Sequence, residues 1–150
     1  MELRYERYDG LPPEPLLCSL LDLLAGVFGN QTQAELFSEL TYQFSRTPGL
    51  TFLAIDDGQV VGCKLGYERK PGHFYSWLGG VHTAYRGRGI ARELMHRQHD
   101  WCRQQNYHTV RTQTYNQWRA MLILNLRAGF DIIGTQQGKQ GLTIILEKRL

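Results

Sequence analysis

The chain has 150 residues, 42% hydrophobic and 21% charged, which fits one domain that buries a core without disulfides or a structural metal. No apolar run approaches the roughly 18 residues of a membrane helix, and Met1-Glu2-Leu3-Arg4-Tyr5-Glu6 lacks a secretory pattern. A single domain over 1–150, a cytoplasmic location and no membrane partner are therefore expected.

The net charge of +3 conceals an asymmetry. Residues 1–60 hold nine acids and three bases, a balance of −6, and residues 61–150 hold fourteen bases and five acids, a balance of +9. An anionic ligand is expected to meet the second half. The bases are spread out and form no reader motif, which argues against a nucleic-acid partner. Cys18, Cys63 and Cys102 are odd in number and far apart, as reduced thiols are.

Residues 3–8 alternate as a first strand. Pro12, Pro13 and Pro15 mark a helix entry, and Leu16, Leu17, Leu20, Leu21, Leu23, Leu24 and Val27 give an apolar stripe ending near Gly29. Thr32-Gln33-Ala34-Glu35 has the form of a capping box, which predicts a second helix through Phe44, stopped by Thr47-Pro48-Gly49. Residues 51–55 and 59–68 flank Asp57-Gly58, a hairpin signal. Residues 74–82 read as another strand, in which Gly79-Gly80 predicts a bulge or a close approach to the backbone.

Residues 90–105 form an amphipathic helix, with Ile90, Ala91, Leu94, Met95, Trp101 and Cys102 inward and Glu93 paired with Arg97 outside. A strand at 109–115 and a helix at 117–128, closed by Gly129 before Phe130, follow. Strands at 130–133 and 142–147 complete the order βααβββαβαββ, an α+β (mixed α/β) domain.

The stretch His82-Thr83-Ala84-Tyr85-Arg86-Gly87-Arg88-Gly89-Ile90-Ala91 joins a strand to a helix. The first N–H groups of a helix lack intrahelical partners and, with the helix dipole, attract phosphate. Gly87 and Gly89 let an anion approach and permit positive φ, while Arg86 and Arg88 add charge. Neither G-x-x-x-x-G-K-[ST] nor G-x-G-x-x-G is present, so two familiar phosphate loops are excluded.

Arg86-Gly87-Arg88-Gly89-Ile90-Ala91 fits R/Q-x-x-G-x-G/A, and Leu78-Gly79-Gly80-Val81-His82 precedes it. Asn116, Met121-Leu122, Asn125 and Gly129-Phe130 follow in the spacing N-x-x-x-x-M-[IL]-x-x-[NY]-x-x-x-G-F. Together these resemble the GNAT N-acetyltransferase superfamily from 77 to 130, and the element order extends the resemblance along the chain. The resemblance implies a mostly antiparallel mixed sheet with a bulged fourth strand, about four flanking helices, and acetyl-CoA as acyl donor.

By that resemblance the CoA diphosphate sits on the turn formed by Arg86, Gly87, Arg88, Gly89, Ile90 and Ala91. The pantetheine arm lies along Gly80, Val81, His82 and Thr83, and Asn116 either bonds the arm or caps the helix after it. An amine acceptor then attacks the thioester directly, with a backbone donor near Val81 for the carbonyl oxygen. The general acid departs from the pattern, because the usual tyrosine position is Asn125, which can bond the cofactor or orient a water. Tyr115 and Tyr75 are candidate replacements. The position that often holds a glutamate base is Ser76, with Glu68 or a water chain as alternatives.

The resemblance also implies that the first two helices overhang the acceptor, where Asp22, Glu35 or Glu39 is expected to favour a cationic amine or basic peptide. Trp77 and Trp118 either pack the sheet against a helix or line that cleft. No metal is expected, since His96, His99 and Cys102 share no tight face. Dimerisation through the late strands is common in similar proteins. A non-catalytic acyl-CoA-binding module and a different acyl donor are the alternative readings.

Overall fold

The computed structural model describes residues 2–150, so Met1 of the N-terminal stretch lies outside the described residues. Strand β1 (Arg4–Asp9) leads to helix α1 (Leu16–Phe28), whose buried stripe is Leu20, Leu21, Leu23 and Leu24. It ends where Gly29 turns left-handed at φ 71°, its N–H bonded to the Ala25 carbonyl at 2.9 Å. Helix α2 (Gln33–Arg46) opens with the expected capping box: the Thr32 hydroxyl accepts from the Glu35 N–H, and the Glu35 carboxylate accepts from the Thr32 N–H, each at 3.1 Å.

Strands β2 (Gly49–Asp56) and β3 (Gln59–Lys70) form the expected hairpin, with Asp57 and Gly58 at φ 50° and 77°. Strand β4 (His73–Val81), a short 3-10 turn (Thr83–Tyr85), helix α3 (Ile90–Gln104) and strand β5 (Thr109–Tyr115) follow. Helix α4 (Arg119–Arg127) and strands β6 (Asp131–Gly138) and β7 (Gly141–Arg149) complete the chain. This is the expected order of helices and strands. Helix α4 starts two residues later than expected, and β6 runs on to Gly138 because it pairs with β7 as far as Gly141.

The seven strands make one sheet in the order β1-β2-β3-β4-β5-β7-β6, antiparallel except for β4 and β5. Successive side chains of a strand point to opposite faces, and both faces are covered. Phe52, Ala54, Phe74, Val110 and Leu146 pack beneath α3 with Ile90 and Leu94. Leu53, Ile55, Cys63 and Leu65 pack beneath α1 and α2 with Leu20, Leu24, Leu36 and Leu40. Each such fully buried leucine contributes about 1.5–3 kcal/mol. Trp101 and Ala91, expected inward, are only partly buried, whereas Gln98 and His99 of α3 are fully enclosed. Among the described residues no helix is long and apolar enough to cross a membrane.

Candidate functional site

The sheet opens along one seam. The parallel β4–β5 ladder runs from His73 opposite Thr109 to Ser76 opposite Thr112 and goes no further. At that point β4 carries an extra residue: Leu65 faces Leu78 while Gly66 faces Ser76, so Trp77 is the bulge. The bulge therefore lies just before the paired glycines rather than at them. Past it, β4 stays on β3, with Lys64 opposite Gly79 and Cys63 opposite Gly80, while β5 stays on β7 through Tyr115. Residues 79–81 and 113–115 thus face each other across a gap that an extended chain can enter by strand addition.

The glycines on this edge answer to close neighbours. A Cβ on Gly80 would lie 2.8 Å from Val27 Cγ2 of α1, and one on Gly79 would lie 3.8 Å from Lys64 Nζ. Gly80 is needed for the close approach named as one of the two expectations.

The seam ends in the glycine-arginine turn. His82 opens the 3-10 turn, its Nδ1 accepting from the Ala84 N–H at 3.1 Å. Gly87 and Gly89 take φ of 78° and 79°, and Gly89 caps α3 without a side chain. The first helical bond runs from the Glu93 N–H to the Gly89 carbonyl at 3.0 Å, so the N–H groups of Ile90, Ala91 and Arg92 precede the ladder. A Cβ at Gly87 would meet nothing within 4 Å, which leaves room for an anion at the turn. The arginines brace the turn. Arg86 Nε donates to the Val81 carbonyl at 3.1 Å, and the Arg88 guanidinium lies 5.2 Å from the Tyr85 ring centroid. Tyr85 in turn donates to Asp56 Oδ2 at 2.5 Å.

Residues 17–124 match the acetyltransferase (GNAT) family. The chain belongs to this GNAT family. It is similar to the N-alpha-acetyltransferase MAK3 of Arabidopsis thaliana, 38% identical over 101 residues, or 64% of this chain and 49% of that protein. The chain thus spans about half the length of that relative. Its fold is that of the NatC complex bound to Gag peptide and CoA, at TM-score 0.82 and 20% identity over 100% of this chain and 99% of that one. A GNAT family acetyltransferase from Elizabethkingia anophelis with acetyl-CoA bound overlays at TM-score 0.77 and 18% identity, covering 99% and 98% of the two chains.

Within this GNAT framework the candidate acids and bases separate. Asn125 is buried in α4, where its carbonyl accepts the Phe130 N–H at 3.0 Å while Gly129 bonds Leu126 at 3.2 Å. Tyr75 belongs to an aromatic wall on the α1–α2 side: it meets Tyr67 at 5.5 Å, Tyr67 meets Trp77 at 5.8 Å, and Trp77 meets Phe44 at 6.1 Å. Burial, with Tyr67 and Tyr115 nearby, pushes the Tyr75 hydroxyl up to about 12, so it is a donor at neutral pH. Tyr115 extends the wall through Trp118 at 5.0 Å, and Trp118 meets Phe28 of α1 at 5.6 Å. Trp77 and Trp118 therefore both pack and line this side.

Glu68 is not with them. Its carboxylate is exposed and accepts from the Tyr107 hydroxyl at 2.9 Å, on the α3 side where Tyr107 meets Phe74. Ser76 is buried at the end of the β4–β5 ladder, its carbonyl accepting from Thr112 Oγ1 at 3.0 Å. Asn116 is exposed and does not cap α4, because the N-cap is Trp118 and no side chain bonds there. The expected acidic trio fastens the α1–α2 connection: Glu35 serves the capping box, Glu39 accepts from Gln31 at 2.8 Å, and Asp22 accepts from Gln33. His96 pairs with Asp100 at 3.2 Å on the surface, apart from buried His99 and Cys102.

The sequence reading missed Lys64. It is 8% exposed and borders a narrow pocket with Gly79, Val81, Ala91, Leu94, Met121 and Leu124. Burial lowers its ammonium to about 8. The available signal was a lone lysine in the otherwise apolar run Val60-Val61-Gly62-Cys63-Lys64-Leu65.

Proposed function

We propose that the chain transfers an acetyl group from acetyl-CoA to the α-amino group of a peptide or protein N-terminus. The observation that carries this reading is the β4–β5 gap leading directly into a glycine cradle at the start of α3. The 38% identity to an N-alpha-acetyltransferase supports the choice of acceptor.

In this reading the N–H groups of Ile90, Ala91 and Arg92 hold the diphosphate, with Gly87 and Gly89 keeping the approach clear. The open edge at residues 79–81 holds the arm through main-chain bonds. Acetyl-CoA supplies the activated thioester. The β4 backbone beyond the Trp77 bulge offers an N–H to the carbonyl oxygen as negative charge develops there. The aromatic wall of Tyr67, Tyr75, Trp77 and Phe44 seats the acceptor's first residues on the α1–α2 side. Attack is direct, and catalysis comes from proximity and charge stabilisation.

Calorimetry with acetyl-CoA, followed by release of CoA thiol over a panel of peptides and small amines, tests the reading. Tight binding with turnover on free peptide N-termini is expected. No binding at near-millimolar acetyl-CoA overturns it. Binding without turnover on any amine points instead to a non-catalytic acyl-CoA-binding module.

A further inference from the structure

Acyl transfer to an amine releases a thiolate, and that sulfur needs a proton. Asn125, at the position where the family resemblance places a tyrosine acid, carries an amide that cannot supply one. Tyr75 stands in the aromatic wall on the α1–α2 side, and Cys63 packs into the core on that side. Asn125 belongs to α4, so a donor that takes over its place stands on the side of the gap that α3 and α4 cover.

The order of residues along β4 locates it. The cradle follows Val81, and the bulge at Trp77 marks the closed end of the gap. An arm laid from the cradle along β4 passes Val81, then Gly80, then Gly79, so its reacting end arrives beside Gly79. Lys64 lies opposite Gly79 on β3, and its Nζ sits 3.8 Å from where a Gly79 Cβ would be. A Cβ on Gly79 would touch the Lys64 side chain along its length, 3.8 Å from both Cγ and Nζ. The pocket there is walled by Leu94 of α3 and by Met121 and Leu124 of α4, and Lys64 and Cys63 are its titratable residues.

We infer that Lys64 is the catalytic acid that protonates the departing CoA sulfur. The inference rests on the acyl-transfer reading above. The amine nitrogen bonds the thioester carbon, the C–S bond breaks with its electron pair going to sulfur, and an Nζ proton of Lys64 completes the thiol. The proton that the nitrogen sheds on becoming an amide returns through water to restore the ammonium, so charge and protons balance.

The groups around Lys64 suit this task. Cys63 beside it is held protonated, its thiol pushed up to about 12 by burial. From α3 the facing titratable group is His99, kept neutral by burial and by Lys148 behind it, whose Nζ lies 3.3 Å from His99 Nδ1. Helix α4 contributes the apolar Met121 and Leu124. An ammonium lowered to about 8 is largely charged at neutral pH yet gives up its proton readily, the condition for an efficient general acid.

Two measurements on Lys64→Met and Lys64→Arg test the assignment. In steady state, Lys64→Met is expected to lower kcat by about a hundredfold with the acetyl-CoA Kd changed less than about threefold, as removal of a general acid does. Wild-type kcat should fall as pH rises through about 8, as the ammonium is lost. Lys64→Arg should move that limb to higher pH, and Lys64→Met should lack it. Independently of any acceptor, ultraviolet absorbance of the thiolate in the CoA complex should appear at lower pH in wild type than in Lys64→Met. Equal thiolate titrations, or an unchanged kcat–pH profile in Lys64→Met, overturn the role of Lys64. Failure of wild type to bind CoA overturns the acyl-transfer reading and this inference with it.

Discussion

Gly80 and Gly87 are both glycine for reasons that a substitution can separate. At Gly80 the backbone is ordinary, and the constraint is Val27, 2.8 Å from the missing Cβ. Alanine there overpacks a tight contact and should cost about 1–3 kcal/mol. At Gly87 the space is open and the constraint is the left-handed φ of 78°, which costs an alanine roughly 1–2 kcal/mol. The two variants should therefore melt lower by similar amounts, about 2–4 °C per kcal/mol lost. Gly87→Ala reshapes the cradle and should weaken acetyl-CoA by about tenfold, roughly the loss of one good hydrogen bond to a charged group. Differential scanning fluorimetry and calorimetry on the same samples check both halves. The carboxylate at Glu68 gives the opposite case. It is tied to Tyr107 on the α3 side, away from the aromatic wall, so Glu68→Gln should leave kcat within about twofold, since it removes no group that moves a proton. A large loss of kcat at unchanged KM would restore Glu68 as a base.

Helix α3 shows where element-scale reading succeeds and where it stops. The apolar stripe placed Ile90, Leu94, Met95 and Cys102 inward, and all four are buried. Its polar members Gln98 and His99 are buried too, at 0% and 2% exposure, although the pattern assigns polar residues outward. Lys64 escaped for the same reason on β3, since burial of a polar residue depends on neighbours from distant elements. The caps and turns were legible because their causes are local: Thr32 with Glu35, Asp57 with Gly58, and Gly87, Gly89 and Gly129 each act within a few residues. The bulge on β4 was expected from Gly79-Gly80, but its place at Trp77 was not legible, because the position of a register shift belongs to the pairing of two strands. The burial of His99 has a measurable consequence. Lys148 donates to Nδ1, which leaves Nε2 to carry the ring proton, and burial lowers the imidazole to about 3. Unfolded, the same ring titrates near 6.5, so between pH 6.5 and about 3 the unfolded chain binds a proton that the native chain refuses. Stability is then fully present above 6.5 and declines as pH falls through that window, with a slope from this group of at most about 1.4 kcal/mol per pH unit. His73 is shifted in the same direction. Urea unfolding at stepped pH should show the decline, and His99→Leu should flatten it; an unchanged slope would mean that His99 protonates freely in the native state.

At the scale of the whole molecule the sheet separates two tasks. Residues 1–60, with a balance of −6, build β1, α1, α2 and β2, whereas the cradle and both edges of the gap come from residues 61–150, with a balance of +9. In the proposed reading the donor's phosphates meet the basic part of the chain, and the acceptor lies under the acidic helices, joined to α4 through Phe28 and Trp118. Beyond Ser76 and Thr112 the facing edges of β4 and β5 are not paired with each other, and in the proposed reading the donor arm pairs with them. Donor binding should therefore join the two halves of the sheet and act on stability as well as on the site. At about 100 times Kd a ligand specific for the native state adds roughly 2.7 kcal/mol, which corresponds to a rise in Tm of about 5–10 °C for a chain of this size. Hydrogen exchange locates where that energy is felt. Amides at 79–81, 87–92 and 113–115 should gain protection with acetyl-CoA, while those of the α1 and α2 interiors change little, because their bonds are complete in either state. Gly87→Ala should reduce the gain in Tm at a fixed acetyl-CoA concentration. Equal protection of every element, with no excess at the strand edges and the cradle, would show that the donor does not enter the gap.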